Sequence, residues 1–294
     1  MVQSLQLENL QQIYEPYRES LAHYLKWMPF ATDLAENPVS YEVVPATRLL
    51  EPEFLREKLV AYGQYIDTPD LKVSASIWTK QYSIVLLPFA LSALSLGGLG
   101  IDFSLANLTI VFSKETGNLP KWVIPNDFSS LAVLPSRCQA PALVEQARTV
   151  SSVAELHEAM LPKLFGQNLA LVMEALAEVG RVNRKIVWNN LGTYIFGIYH
   201  TLAGNVGSAA ALEDRQAILE TLHNPLIVLD KNPVYQAVRE TYLDDPALDG
   251  KPVHIRAACC LWYKSPKGRL CNGCPLLKPA EMVERWKLIY QHGY

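Results

Sequence analysis

Cysteine is scarce in this chain, five among 294 residues, and the scarcity makes its placement informative. Cys138 stands alone after Arg137 and reads as a small core residue. Histidine offers even less as a ligand. Its six copies, His23, His157, His200, His223, His254 and His292, show neither H-x3-H nor H-E-x-x-H spacing. No G-x-G-x-x-G follows a strand. The Gly97-Gly98-Leu99-Gly100 run precedes one and opens no helix, which excludes a dinucleotide fingerprint. Neither sign of charge dominates, with a net charge of −3 and a pI near 6.1, so nothing draws the whole chain to nucleic acid or an anionic surface. The opening MVQSLQLENLQQIYEPYRES has no basic stretch leading into an apolar one. The cytoplasm is therefore the expected compartment. Internal repeats and low-complexity tracts are absent.

A long apolar run is nearly present. From Gln81 to Ile101 the chain is uncharged for about the length of a membrane span. Pro88, Gly97, Gly98 and Gly100 interrupt it, so it reads as a buried helix ending at Gly97-Gly98. No transmembrane span is expected.

What remains is an ordinary globular composition, 50 % hydrophobic and 19 % charged. Leu21, Leu25 and Met28 recur at helical spacing, as do Leu55, Leu59, Tyr62 and Ile66 after Pro52. A third helix is expected over Leu71–Leu96, kinked or interrupted at Pro88, with Trp78 and Tyr82 paired on one face. From Ile101 to Leu134 the pattern turns to strands: IDFSLANLTIVFS, the turn-like KETGNLP and KWVI form a hairpin, with Ser130–Leu134 as a third strand. Helix returns from the capping pair Ser152 and Glu155, through Ile186–Leu202 and Ala209–His223, to a last helix opened by Pro279. The expected fold class is α+β, predominantly helical with a small antiparallel sheet. A body over 1–248 is followed by a cysteine-bearing segment over 249–294.

That segment holds Cys259, Cys260, Cys271 and Cys274 within sixteen residues, a C-C-x10-C-x2-C pattern. Reducing conditions keep thiols free, and adjacent cysteines are awkward disulfide partners, so the pattern asks for a metal. Ser265-Pro266-Lys267-Gly268 suits a β-turn that folds the spacer back and lets Cys260 face Cys271. Zinc and an iron–sulfur cluster both fit four thiolates. The adjacent pair is not a zinc knuckle and leans toward the cluster. Between Lys251 and Lys278 there are six Lys and Arg residues and no Asp or Glu. Arg256, Lys264, Lys267 and Arg269 could form a cationic collar that raises a cluster's potential. Trp262 and His254 stand beside it.

The stretch CC-LWYKSPKGRL-C-NG-CPL resembles the C-terminal signature of FhuF-type ferric siderophore reductases. Looser echoes lie in Ser76–Tyr82 and in Val187-Trp188-Asn189-Asn190. The resemblance implies that Cys259, Cys260, Cys271 and Cys274 bind a [2Fe-2S] cluster. It also implies a body related to the C-terminal part of aerobactin-type siderophore synthetases, and one-electron reduction of a ferric siderophore. No catalytic acid or base is called for. Trp78, Trp188, Asn189 and Asn190 are candidates for lining the siderophore pocket. The implied partners are a ferric siderophore of hydroxamate or similar oxygen-ligand type and an external electron donor such as a ferredoxin, flavodoxin or flavin reductase. Peripheral membrane association stays open. The rival readings are a zinc-stabilised binding or scaffold module and a siderophore-biosynthesis enzyme, the latter disfavoured by the missing phosphate-binding loop.

Overall fold

The computed structural model describes residues 10–29, 38–227 and 230–292. Its centre is the uncharged stretch expected to be a buried helix. Helix α1 (Pro52–Tyr65) leads into α2 (Leu71–Gly97), which runs on through Pro88. Asp70 caps the start of α2 by accepting from Lys72 N at 2.9 Å, and Gly98 ends it in the left-handed conformation at φ 60°. A side chain at Gly98 would meet Arg137 Cβ at 2.7 Å. The helical spacing from Leu21 to Met28 yields only a single turn, Ala22–Leu25.

Burying a helix on all sides requires its polar side chains to find partners inside. Thr79 and Ser83 return their hydroxyls to the carbonyls one turn back, at 3.0 and 2.8 Å, and Ser92 does the same to Pro88. Trp78 and Tyr82 stack with ring centroids 5.8 Å apart, and the Tyr82 hydroxyl donates to Asn168 Oδ1 at 2.6 Å. Among the described residues no helix is long and apolar enough to cross a membrane.

Against α2 pack α1 and three later helices, α4 (Ala170–Val179), α5 (Arg184–His200) and α6 (Ala209–Leu219); α3 (Val153–Leu161) lies against the short strands at Leu99–Gly100 and Ala132–Val133 and continues through a wide turn at Pro162–Leu169 into α4. Ser152 caps α3 by accepting from Glu155 N at 3.2 Å. The Glu155 carboxylate reaches Ser151 N at 2.8 Å, so the capping box closes one residue further out than its sequence form. Helix α6 stops at Leu219, short of the expected His223, because the Asn232 amide donates to Ile218 O at 2.6 Å and Thr221 O at 2.9 Å.

The strands are β1 (Tyr41–Pro45), β2 (Leu99–Gly100), β3 (Leu108–Ser113), β4 (Leu119–Pro125), β5 (Ala132–Val133), β6 (Arg148–Thr149), β7 (Val238–Thr241) and β8 (Val253–Arg256). The β3–β4 hairpin forms as expected, turning through Gly117 and Asn118, both at positive φ. Its third strand is β1, from the proline-punctuated stretch, in the order β1-β3-β4. The expected third strand, β5, joins β2 and β6 in a separate sheet. The run from Ile101 stays out of the ladder until Leu108, because the Asn107 amide donates to Asp102 O and Asp127 O, both at 3.0 Å, holding a turn.

A second, smaller core gathers Leu248, Val253, Cys274, Leu277, Met282, Val283, Trp286 and Ile289 under the last helix, α7 (Pro279–His292). Strand β7 pairs with β8 in register Val238↔Arg256, so a cut at 248 separates two paired strands.

One polar network is buried with the main core. Asp214, fully buried, accepts from Ser95 Oγ at 2.6 Å and lies 2.7 Å from His157 Nε2. Arg137 Nη1 donates to both of its oxygens at 3.0 and 3.1 Å. Removing one partner leaves a charge uncompensated in the interior. Asp214→Ala is expected to cost about 3–5 kcal/mol in urea unfolding. A loss below about 1 kcal/mol would mean that exposed Glu213 alone suffices for Arg137.

Candidate cluster site in the cysteine loop

Strand β8 carries the chain straight into Cys259 and Cys260. The loop then goes out and back: Gly268 N donates to Ser265 O at 2.8 Å, the expected β-turn, and a side chain at Gly268 would overlap Trp262 O. On the return Cys271 meets Cys260, Sγ to Sγ 3.4 Å, and Cys274 meets Cys259 at 3.8 Å. All four are free thiols.

The backbone at Leu261 lets the adjacent pair serve two partners. Leu261 takes a left-handed conformation at φ 63°, unusual for a branched residue, and its N–H then points to Cys259 Sγ at 3.4 Å. Cys274 N donates to Cys271 O at 3.0 Å, closing the C-x2-C turn. Gly273 lies against β8, where a side chain would approach His254 O to 2.3 Å.

Three residues of the body hold this loop. Ser76 on α2 donates to Cys260 O at 2.7 Å. Asn190 on α5 donates to Ser76 O at 2.7 Å and accepts from Arg256. Asn189 bridges Ala237 O at 2.7 Å and Ala258 N at 3.0 Å. The loop tip is tied separately: Ser265 Oγ donates to Ile66 O at 2.8 Å and Lys267 Nζ to Tyr65 O at 2.9 Å, with Asp67 2.9 Å from the same ammonium.

Charge at the sulfurs is uneven. Arg256 is buried, its Nη1 is 3.9 Å from Cys271 Sγ, and among the described residues no carboxylate pairs with it. Its Nε has no hydrogen-bond partner. Lys80, one turn beyond Ser76 on α2, acts on the same pair of cysteines. The Cys260 thiol is held below its usual range by its hydrogen bond with Cys271, then by Lys80 and Arg256, against the effect of burial. Its partner Cys271 is correspondingly raised. Burial pushes Cys259 up to about 11, and pushes the nearby Tyr194 up to about 12.

The residues singled out in the sequence are placed differently. The cysteines and Arg256 come together. Trp78, Asn189 and Asn190 are buried within the protein and Trp188 is half-buried against the core; the two asparagines are spent on holding the loop, and Trp78 stacks on Tyr82. Lys267 is spent on the body, while Lys264 and Arg269 are exposed, so the cationic collar reduces at the sulfurs to Arg256. Trp262 is half-buried against the main core. His254 turns to Glu240 Oε1 at 3.3 Å, enclosed by Phe196, His200 and Trp286, and burial lowers its pKa. Lys80 and Tyr194 were missed. Helical spacing from Ser76 was the one signal that could have pointed to Lys80.

Among the described residues no three His, Cys, Asp or Glu side chains share a single metal position. The thiols stand as two contacting pairs. A closed zinc site gathers four ligands about one ion, whereas a two-iron cluster takes two thiolates at each iron. The donor set and its pairing therefore fit a [2Fe-2S] group.

A helical body that fixes four paired thiols on one loop by buried hydrogen bonds has the frame of an iron–sulfur protein. Residues 76–245, more than half of the chain, match the family described as ferric iron reductase FhuF-like transporter, and residues 256–276 match the FhuF 2Fe-2S C-terminal domain. The chain belongs to the FhuF ferric iron reductase family and carries its [2Fe-2S] domain. A ferric siderophore reductase of Escherichia coli (strain K12) is 23 % identical over 269 residues, 88 % of this chain and 86 % of that one. The fold is shared with aerobactin synthetase IucA from a hypervirulent pathotype of Klebsiella pneumoniae, at TM-score 0.58 and 12 % identity over 77 % of this chain and 48 % of that one. The ATP-bound form of that synthetase gives TM-score 0.57 at 13 % identity, over 77 % and 47 %. The chain thus spans about half the length of the synthetases it resembles.

Because Gly273 touches backbone on β8, Gly273→Ala must displace the C-x2-C turn. Purified anaerobically, that variant is expected to hold less than about half the wild-type iron per chain, with the shortfall read by iron assay and visible absorption. Full iron content would show that the turn tolerates the shift.

Proposed function

We propose that the protein is a ferric siderophore reductase working in the cytoplasm, and that Cys259, Cys260, Cys271 and Cys274 are its four cluster ligands. The observation that carries this reading is the meeting of two thiol pairs beside a buried guanidinium that has no carboxylate partner among the described residues. Bound by these thiolates, the [2Fe-2S] group supplies a one-electron redox centre. In this reading the four thiolates would hold the group as two pairs, Cys260 with Cys271 and Cys259 with Cys274, each pair already in contact.

The chain's own residues set the site's electrostatics. Arg256 and Lys80 offset thiolate charge and favour the reduced state, and the Leu261 N–H bonded to Cys259 Sγ acts in the same direction. Trp262 and Leu261 pack toward the main core and exclude water from one side. No acid or base is needed. Oxygen ligands that hold hard Fe(III) hold Fe(II) less well, so reduction of the substrate iron loosens the chelate. The electron arrives from a separate donor, a ferredoxin, flavodoxin or flavin reductase, because the chain has no dinucleotide fingerprint.

The test is optical and kinetic. Purified without oxygen, the protein is expected to be red-brown, to bleach with dithionite and to recover its colour on mixing with a ferric siderophore. Cys259→Ser should abolish the colour. A colourless protein with one zinc per chain would sink the reading in favour of a structural metal.

Arg256 gives a graded test. At an effective dielectric of about 20 a unit charge at about 4 Å is worth a few kcal/mol, and about 59 mV corresponds to a tenfold shift of a one-electron equilibrium. Arg256→Gln is expected to lower the cluster's reduction potential by on the order of 100 mV, with Arg256→Lys recovering most of it. Equal potentials in all three proteins would make Arg256 a purely structural residue.

A further inference from the structure

The four sulfurs are not equally covered. Cys260 and Cys274 are buried, whereas Cys259 and Cys271, one from each contacting pair, are half-buried. The outer face of the cysteine loop is therefore the approach to the thiols for anything that does not penetrate the two cores. This face carries apolar groups that the fold leaves in water, Tyr263 at 41 % exposure and Leu276 at 53 %. Chain reach fixes how near they lie. Leu276 follows Cys274 by two residues and Tyr263 follows Cys260 by three, so their Cα atoms are within about 7 Å and about 11 Å of those cysteines.

The charge on this face is positive in excess. From Ala257 to Lys278 the chain has no Asp or Glu. Lys264 and Arg269 are exposed, and among the described residues no carboxylate pairs with either. Arg269 precedes Cys271 by two residues, again within about 7 Å. Arg285 of α7 brings a further guanidinium, its Nη1 donating to the intervening Leu270 O. The neighbouring acids are fewer: Asp67, 2.9 Å from Lys267 Nζ, Glu281, which accepts from Lys278 N at 3.3 Å, and Glu284 on α7, against Lys264, Lys267, Arg269, Lys278 and Arg285. Arg256 and Lys80 offset thiolate charge from within, so the excess faces outward.

The strength of that charge selects the class of partner. A lipid surface is read by clusters of about 4–8 Lys and Arg, and the cations here, with acids among them, fall short of such a cluster. An exposed aromatic and an aliphatic side chain flanked by a few cations match the small, charge-steered contacts of transient electron-transfer complexes. We propose that an acidic electron-transfer protein docks on this face, with its apolar contact over Tyr263 and Leu276 and its carboxylates against Lys264 and Arg269. The assignment rests on the reductase reading, which requires an external donor, and adds where that donor sits and which charge it presents.

Oxidised plant-type [2Fe-2S] ferredoxin and oxidised flavodoxin, both acidic, serve as probes, titrated calorimetrically into the oxidised holoprotein so that no electron moves. At least one is expected to bind at about 20 mM salt and to weaken at least about tenfold at about 200 mM. Lys264→Glu and Arg269→Glu should each weaken binding about fivefold at low salt, and the double variant more, with iron content and visible spectrum unchanged. Tyr263→Ala should weaken it alike at both salt concentrations. Arg148→Glu controls for net charge and should bind as wild type, since Arg148 is exposed on β6, beside the end of α2 that lies about 30 Å along the helix from Ser76. Binding of neither probe, binding indifferent to salt, or wild-type affinity in the double variant overturns the proposal. It is also overturned if the double variant loses sedimentation with phosphatidylglycerol vesicles while keeping its affinity for the probes, which makes the face a lipid contact. The reductase reading is tested separately, by stopped-flow oxidation of the dithionite-reduced protein with ferric chelates. If none oxidises it while docking that depends on Lys264 and Arg269 persists, the reductase reading fails and the face stands as the docking site of an electron carrier.

Discussion

The structure depends on one hydrogen-bonded chain that runs from the centre of the body to the cysteine loop: Cys260 O accepts from Ser76, Ser76 from Asn190, and Asn190 from Arg256. Every member is buried, so each link is made at low dielectric, where a missing partner costs more than at the surface. Ser76 belongs to the innermost helix and Arg256 to the strand that feeds the cysteines. The chain therefore transmits the position of the most buried element in the fold to the most reactive one. A cluster loop needs that support, since four thiolates gathered on one loop repel one another once ionised.

The same geometry explains why the tail has its own small core. Cys260 packs with the main core and Cys274 with the second, while Cys271 touches both. Whatever the thiols bind joins two apolar assemblies that are also linked by β7–β8 pairing and the Ser265 and Lys267 contacts. Binding energy at the thiols then becomes folding energy for the tail, because a group held only by the native arrangement stabilises that arrangement.

Much of this was legible in the residues. Apolar spacing and end signals place α2, α5 and α7 within a few residues, since each is long and carries a cap or a proline at its start. The Cys260–Cys271 facing follows from the Ser-Pro-Lys-Gly turn. What was not legible is long-range pairing. β1 and β5 are five and two residues long, and which sheet a short strand joins is decided by partners far away in sequence. Asn189 and Asn190 illustrate the same limit. Amides beside a tryptophan suit a ligand pocket, yet both are consumed by backbone and guanidinium partners that only the fold brings near.

The six cations between Lys251 and Lys278 show most directly how structure edits a sequence argument. Counted along the chain, all six weigh the same, but a charge acts on a redox centre in proportion to proximity and desolvation. Lys267 is neutralised by Asp67 at the surface, and Lys264 and Arg269 face water, where salt screens their fields beyond about 10 Å. Arg256, buried and without an acidic partner among the described residues, keeps its full field. Lys80 is far from the loop in chain order but one helical turn from Ser76, and it acts on the same sulfurs. Two cations selected by the fold thus outweigh those selected by sequence proximity, and both lie on the side of the Cys260–Cys271 pair. The site is electrostatically lopsided, and a thiolate-held redox group there would find its charge offset chiefly at the Cys260–Cys271 pair.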